Sequence, residues 1–344
     1  DVTSKRSFTF LKPTLSVAYS PSQQRQTRLR LAREVSQLRF DDFVSSTQFE
    51  DDDVALGNPD LEPESSWVAE ISEERRFGEL GVVKITLFYN WISEVEDLLP
   101  INEMFEVPGN IGSGDRRGAK LEATWPLERL GLTGARLDIE ARVQDSSVVD
   151  PVTGSDRVLS GRGNFDKPLS LDDQNRYAFA LNFRQDFEAQ RLAWGWELRK
   201  RGKRFEYRVN ELVEYEDGLE ANVFVEATRW WGLKMRLTAQ NLTDFNQYRY
   251  RTIYTGEREL SPLDDQLSHR VHDPVQAIEI DTDRAAALSG PGPVIEIRGA
   301  DLLGGRARIR GHGVGIATGV SHGSRMVEAA GDHLGTGVGR EQDV

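Results

Sequence analysis

The chain has 344 residues, 43 Lys and Arg against 56 Asp and Glu, a formal net charge of -13 and 38% hydrophobic residues. That balance speaks against a nucleic-acid partner, because phosphate contacts call for clustered Lys and Arg. No apolar run approaches the ~18 residues of a spanning helix, which excludes a helical membrane protein. The chain has no cysteine, which fits the periplasm and outer membrane but equally the cytosol. No charged, then apolar, then small-residue segment follows Asp1, so the expectation is a protein that is not exported or a fragment lacking its beginning.

Alternation of apolar and polar residues predicts about ten β-strands in chain order. The first runs lie near Phe8 to Tyr19, Thr27 to Arg33 and Trp67 to Phe77. Val83, Ile85, Leu87, Tyr89 and Trp91 then alternate with polar neighbours, broken only by Phe88. Gly118 to Trp125 follows, and after it Ala135, Leu137, Ile139, Ala141 and Val143 alternate with Arg136, Asp138, Glu140, Arg142 and Gln144. Four more runs follow at Tyr177 to Phe183, Leu192 to Arg199, Leu219 to Ala227 and Leu233 to Ala239.

The connections alternate in length. Short turns at Ser20 to Gln26, Gly78 to Leu80, Pro126 to Thr133, Glu188 to Arg191 and Trp231-Gly232 are interleaved with long ones at Glu34 to Glu64, Asp97 to Gly112, Ser147 to Asn175 and Lys200 to Gly218. Outer-membrane barrels have short turns on one side and long external loops on the other. Tyr19, Phe77, Trp125, Phe187, Trp230 and Trp231 border the short turns, where such a barrel carries an interfacial girdle. A soluble antiparallel sheet, its apolar face a dry core and its charged face in water, is the alternative that alternation alone leaves open.

Catalytic constellations are not legible. There is no cysteine, the five histidines all lie at or after His269, and no Gly-x-Ser-x-Gly elbow occurs. Neither an enzyme nor a cofactor is expected, and His312, His322 and His333 lack metal-ligand spacing.

Leu56-Gly57-Asn58-Pro59-Asp60-Leu61-Glu62-Pro63-Glu64 is a structured turn by its own chemistry. Two prolines fix φ, Gly57 allows positive φ, and Asn58 and Asp60 can bond their own backbone. The element from Gly57 to Glu64 also resembles the one that precedes a late strand in TonB-dependent outer-membrane receptors. Pro108-Gly109-Asn110-Ile111-Gly112 leading into Gly118 to Ala123, Asn241-Leu242-Thr243-Asp244 after a penultimate-type strand, and Asp150-Pro151-Val152-Thr153-Gly154 in a loop are similar to elements of the same family.

The resemblance implies an all-β fold: an antiparallel transmembrane β-barrel of 22 strands around an N-terminal plug, of which this chain holds about ten, without plug, TonB box or aromatic-ended closing strand. It implies energy-coupled uptake of a siderophore, cobalamin or an oligosaccharide, with outer-membrane lipid and the TonB-ExbB-ExbD system as partners. Arg28, Arg30, Glu70, Glu74, Arg136, Glu140, Arg142 and Arg184 are then the lumen-facing candidates for plug or ligand. A passive porin and a soluble or surface-exposed adhesive module remain the rivals.

The last ninety residues differ in kind. All thirty aromatics lie at or before Tyr254 and the last lysine is Lys234. Residues 255–344 are therefore expected to form a disordered tail, or one read out of frame, set apart from residues 1–254. The tail is expected to add nothing to the sheet beyond a short segment such as Val294 to Arg298.

Overall fold

The structure, a computed structural model, describes residues 8–38, 47–50, 53–103, 105–161, 175–228, 233–272, 277–284, 294–298 and 308–312. Among them the strands are β1 (Thr14–Ser22), β2 (Arg25–Val35), β3 (Thr47–Glu50), β4 (Asp53–Leu56), β5 (Ser65–Phe77), β6 (Gly81–Ser93), β7 (Glu96–Pro100), β8 (Glu106–Asn110), β9 (Gly114–Pro126), β10 (Ala135–Val149) and β11 (Asp156–Arg157). They continue with β12 (Tyr177–Phe187), β13 (Leu192–Arg201), β14 (Arg204–Tyr207), β15 (Glu211–Asp217), β16 (Glu220–Ala227), β17 (Leu233–Ala239), β18 (Asn246–Tyr254), β19 (Leu263–His272), β20 (Ala277–Arg284), β21 (Val294–Arg298) and β22 (Arg308–His312). Two single 3-10 turns are the only helical elements among the described residues.

One antiparallel sheet runs β1-β2-β5-β6-β9-β10-β12-β13-β16-β17-β20-β21-β22, with β11 attached to β10. It is an open wall with β1 and β22 at its edges. From β1 to β17, strands that pair in the wall follow one another along the chain apart from strands of the intervening long connections, and the alternation fixes their register. The ten alternating runs all lie in this wall, although Phe8 to Pro13 precedes β1 and is not strand.

Register sorts the side chains onto two faces. One apolar row runs Leu29, Ile71, Leu87 and Ala119; another runs Leu121, Ala141 and Phe179, and a third Ala123, Ile139, Leu181, Leu198 and Ala221. Val17, Leu29, Ile85, Leu87 and Val143 on this face are exposed in the isolated wall. Tyr19, Phe77, Trp125 and Phe187 lie at its short-turn end, with the Phe77 and Trp125 rings 5.0 Å apart. A second aromatic row, not marked by the sequence, lies at the opposite end, where Trp67 pairs with Trp91 and the Tyr89 ring is 4.6 Å from Trp91. Trp230 and Trp231-Gly232 lie outside the described residues.

Phe88, which broke the alternation, sits on the polar face opposite Gly118, with the Lys120 ammonium 5.3 Å from its ring centre. A Cβ at Gly118 would meet the Val143 carbonyl oxygen and lie 2.8 Å from the Phe88 ring. The ring thus covers a glycine that has no side chain of its own to pack. Phe224 does the same at Gly195, flanked by Arg236 at 4.1 Å. We expect Gly118→Val to destabilise the wall by about 1–3 kcal/mol through overpacking, read as a reduced heat-modifiable fraction; an unchanged fraction contradicts this packing.

A second sheet, β14-β15-β18-β19, extends the wall on the long-loop side. Along the chain β14 follows β13, β16 follows β15 and β18 follows β17, so strands of the two sheets alternate. Asn241-Leu242-Thr243-Asp244 lies between β17 and β18. Asn241 and Asp244 hold positive φ of 52° and 49°, the Asn241 side-chain oxygen accepts from Phe245 N–H at 2.7 Å, and its own N–H donates to Asn222 at 2.8 Å. Asn tolerates the left-handed region better than most residues, which suits it to this place.

The expectation that the tail adds nothing to the sheet beyond a short segment such as Val294 to Arg298 is corrected here. Leu263–His272 pairs with β18 and Ala277–Arg284 pairs with β17. The pairing rests on main-chain hydrogen bonds to an otherwise open edge, which require no side-chain alternation and therefore leave no periodic signal. The expectation for residues 313–344 lies outside the described residues.

Candidate functional site

All eight candidate lumen residues fall on the polar face, but not in one cluster. Arg28, Arg30, Glu70 and Glu74 line one concavity with Lys84 and Glu122. Arg136 and Arg184 line another, nearer the short turns, with Asp186 and Glu226. Glu140 pairs in register with Glu122 between them, and Arg142 is buried at 4% exposure. Arg30 contacts Glu70 at 3.0 Å and Glu34 at 2.5 Å, while Arg184 contacts Glu226 at 2.8 Å and Asp186 at 2.9 Å. Alternating sign across neighbouring strands makes this a hydrated, cross-linked surface, each exposed pair contributing at most about 1 kcal/mol.

At the long-loop end, two motifs that the sequence places ~50 residues apart fasten each other. Asn58 donates to the Pro108 carbonyl at 2.9 Å; Asn110 accepts from Glu62 N–H at 2.9 Å and donates to the carbonyls of Glu62 and Glu94 at 2.8 and 3.0 Å. Within the loop, Asn58 accepts from Asp60 N–H at 2.9 Å, Leu61 is fully buried, and Pro63 is buried beside it. Glu64 closes the clip by accepting from Glu96 N–H at 3.2 Å. Burial pushes the Glu64 carboxyl above the usual carboxylate range, outweighing the Glu96 N–H and Arg116. Gly57, Pro59 and Asp60 shape the turn.

A cluster of enclosed charges joins Asp97 of β7 to side chains that follow β10, and sequence reasoning missed most of it. Arg157 reaches Asp97 at 2.7 Å and Asp150 at 2.5 Å, and Arg258 reaches Asp150 at 2.6 Å. These four side chains are 7% exposed or less. The Arg157 and Arg258 guanidinium carbons stand 4.1 and 5.1 Å from the Tyr207 ring centre. Arg258 also donates to the Arg208 carbonyl at 3.1 Å, and its own N–H bonds the Val209 carbonyl at 2.7 Å. Asp150 further accepts from Val152 and Thr153 N–H at 2.8 and 2.9 Å, which is what the Asp-Pro-Val-Thr-Gly turn is for. Burial acts to raise the Asp150 carboxyl, but the Thr153 N–H, the Arg258 guanidinium and the Val152 N–H outweigh it and hold it below the usual range.

Four long connections therefore meet at one buried knot: those after β6, β10, β13 and β17. Next to it, Tyr215 donates to Glu206 at 3.1 Å and lies under Arg204 at 4.9 Å; burial and the Glu206 charge push its hydroxyl up to about 12. Among the described residues no group of three or more His, Cys, Asp and Glu is arranged to hold a metal ion.

The family model for TonB dependent receptor-like, beta-barrel matches residues 1–242. The chain belongs to that family. Its sheet is the antiparallel wall of a TonB-dependent receptor barrel, unclosed over the described strands. Similar solved structures include the ferric enterobactin receptor PfeA of Pseudomonas aeruginosa in complex with enterobactin (13% identity, 72% of this chain and 36% of that chain, TM-score 0.47). The FrpB iron transporter from Neisseria meningitidis is another (12% identity, 75% and 38%, TM-score 0.45), as is the siderophore receptor PirA from Acinetobacter baumannii (14% identity, 68% and 37%, TM-score 0.45). The chain thus spans well under half the length of each. No curated protein matches the sequence.

Proposed function

We propose that the protein carrying this chain is an outer-membrane, energy-coupled receptor that takes up a scarce nutrient: a siderophore with its iron, cobalamin or an oligosaccharide. The single observation that carries this reading is the partition of the wall, an apolar band on one face, interrupted toward the short-turn end by Glu73 and Arg75, and a charged band on the other across ladder after ladder. A spanning strand needs about 9–11 residues; β5, β6, β9 and β10 have 13 to 15. They cross the bilayer and project beyond it.

In this reading the apolar face meets outer-membrane lipid, and the polar face with Arg28, Arg30, Glu70, Glu74, Arg136, Glu140, Arg142 and Arg184 meets a plug or passing ligand. The fastened loops form the capture surface, and the TonB-ExbB-ExbD system acts through the plug. Residues 1–254 carry the barrel's alternating pattern; beyond Tyr254 the composition changes although β20, β21 and β22 still pair into the wall, and the gene sequence tests the reading frame there. Uptake of labelled ferric siderophores, cobalamin and oligosaccharides is the deciding assay. Accumulation of one of them that is lost without TonB is the expected result. Ion conductance without TonB marks a porin instead, and a folded monomer in detergent-free buffer marks a soluble β-sheet protein.

A further inference from the structure

The apolar face ends, on the long-loop side, in a basic pair that neither the transport reading nor the loop knot uses. Arg117 and Asp145 are cross-strand partners on the same face as Leu121 and Ala123, and the Arg176 guanidinium joins them. Asp145 receives Arg176 at 3.1 Å and Arg117 at 3.8 Å, and both arginine side chains remain more than 60% exposed. Two guanidinium groups carry about ten N–H donors between them, whereas one carboxylate offers about four acceptor sites. The trio keeps an excess of charge and of donors pointing outward.

Its height on the wall decides what those donors meet. From Trp125 in the short-turn girdle to Arg117 is eight residues, about 26 Å along a strand; at a tilt of ~40° this is roughly 20 Å of the bilayer, close to the far edge of a ~25 Å apolar band. Tyr89, paired with Arg117, and Tyr177, next to Arg176, flank the site with the amphipathic rings suited to that boundary. Hydrocarbon ends there and headgroups begin.

We propose that Arg117 and Arg176 form a docking site for the phosphate of a lipid headgroup in the leaflet on the long-loop side. The inference rests on the membrane reading above. A phosphate accepts bidentate bonds from both guanidinium groups and carries the charge that Asp145 alone does not balance. Asp145 then acts as a competitor that spaces the two arginines.

The test uses the intact receptor in detergent with lipid A as probe, measuring lipid retained per protein after gel filtration. Wild type should retain lipid A at least tenfold better than Arg117→Ala/Arg176→Ala, and better than it retains the dephosphorylated lipid. Arg75→Ala, a basic residue at the short-turn end of the same face, should change nothing, and Asp145→Asn should retain more. Equal retention by the double variant, equal retention of dephosphorylated lipid, or an equal loss in Arg75→Ala overturns the site. Heat-modifiable migration is read on every sample. Its presence with unchanged retention sinks only the lipid site, whereas its absence in wild type sinks the membrane reading as well.

Discussion

Asp150→Ala should loosen the external loops more than any other single change at the long-loop end. It leaves Arg157 and Arg258 buried side by side over Tyr207 with one shared acceptor gone. Removing one partner of a buried ion pair typically costs about 3–5 kcal/mol, a factor of roughly a hundred to several thousand in local opening if it is expressed there. Arg258→Ala should cost less, because Asp150 keeps Arg157 and two backbone donors. The double variant should cost less than the sum, since the two share one contact. Limited proteolysis in the loops after β10, β13 and β17 reads the effect while heat-modifiability reports an intact barrel. Cleavage rates within twofold of wild type would contradict the knot.

The same carboxylate gives the pH dependence. The folded Asp150 is held below its unfolded value, so its contribution is complete above the ordinary carboxylate value of about 4 and is lost as pH falls through the lowered folded value. Loop protection should therefore decline in acid, below about pH 4, and Asp150→Asn should remove that decline.

The second large effect lies on the wall. Ile139→Arg puts a guanidinium into hydrocarbon, toward the cost of about 2–4 kcal/mol at the midplane, and Leu137→Arg, level with Trp125 in the short-turn girdle, costs less, about 0–1 kcal/mol, whereas Arg136→Leu on the opposite face leaves a hydrated surface hydrated. Both apolar residues lie between apolar partners, Leu137 between Trp125 and Phe183 and Ile139 between Ala123 and Leu181. Equal losses of heat-modifiable folding from the two classes would refute the facing.

The wall was legible because a sheet with unlike faces writes its register into the sequence with a period of two. Even Phe88 proved informative: an aromatic on the wrong face marked the glycine it covers, a contact made only by the neighbouring strand. The clip between Asn58 and Asn110 was half legible, both motifs being visible but not that each holds the other. The knot was not legible, because Arg157 finds Asp97 sixty residues away and Arg258 finds Asp150 across 108. Arg258, moreover, lies in the stretch whose composition argued against structure. β19 escaped for a related reason, its pairing being carried by backbone rather than by side-chain pattern.

The central claim is that the apolar face of this wall meets lipid and the charged face meets water. This chain has no cysteine, so single cysteines can be placed along β10 without any other change within it. In bilayers containing a brominated lipid, a fluorophore at positions 137, 139 and 141 should be quenched and resist a water-soluble thiol reagent, while positions 136, 138 and 140 should react and escape quenching. That two-residue alternation is the result the fold requires. Uniform reactivity along the strand, or the opposite phase, would contradict it.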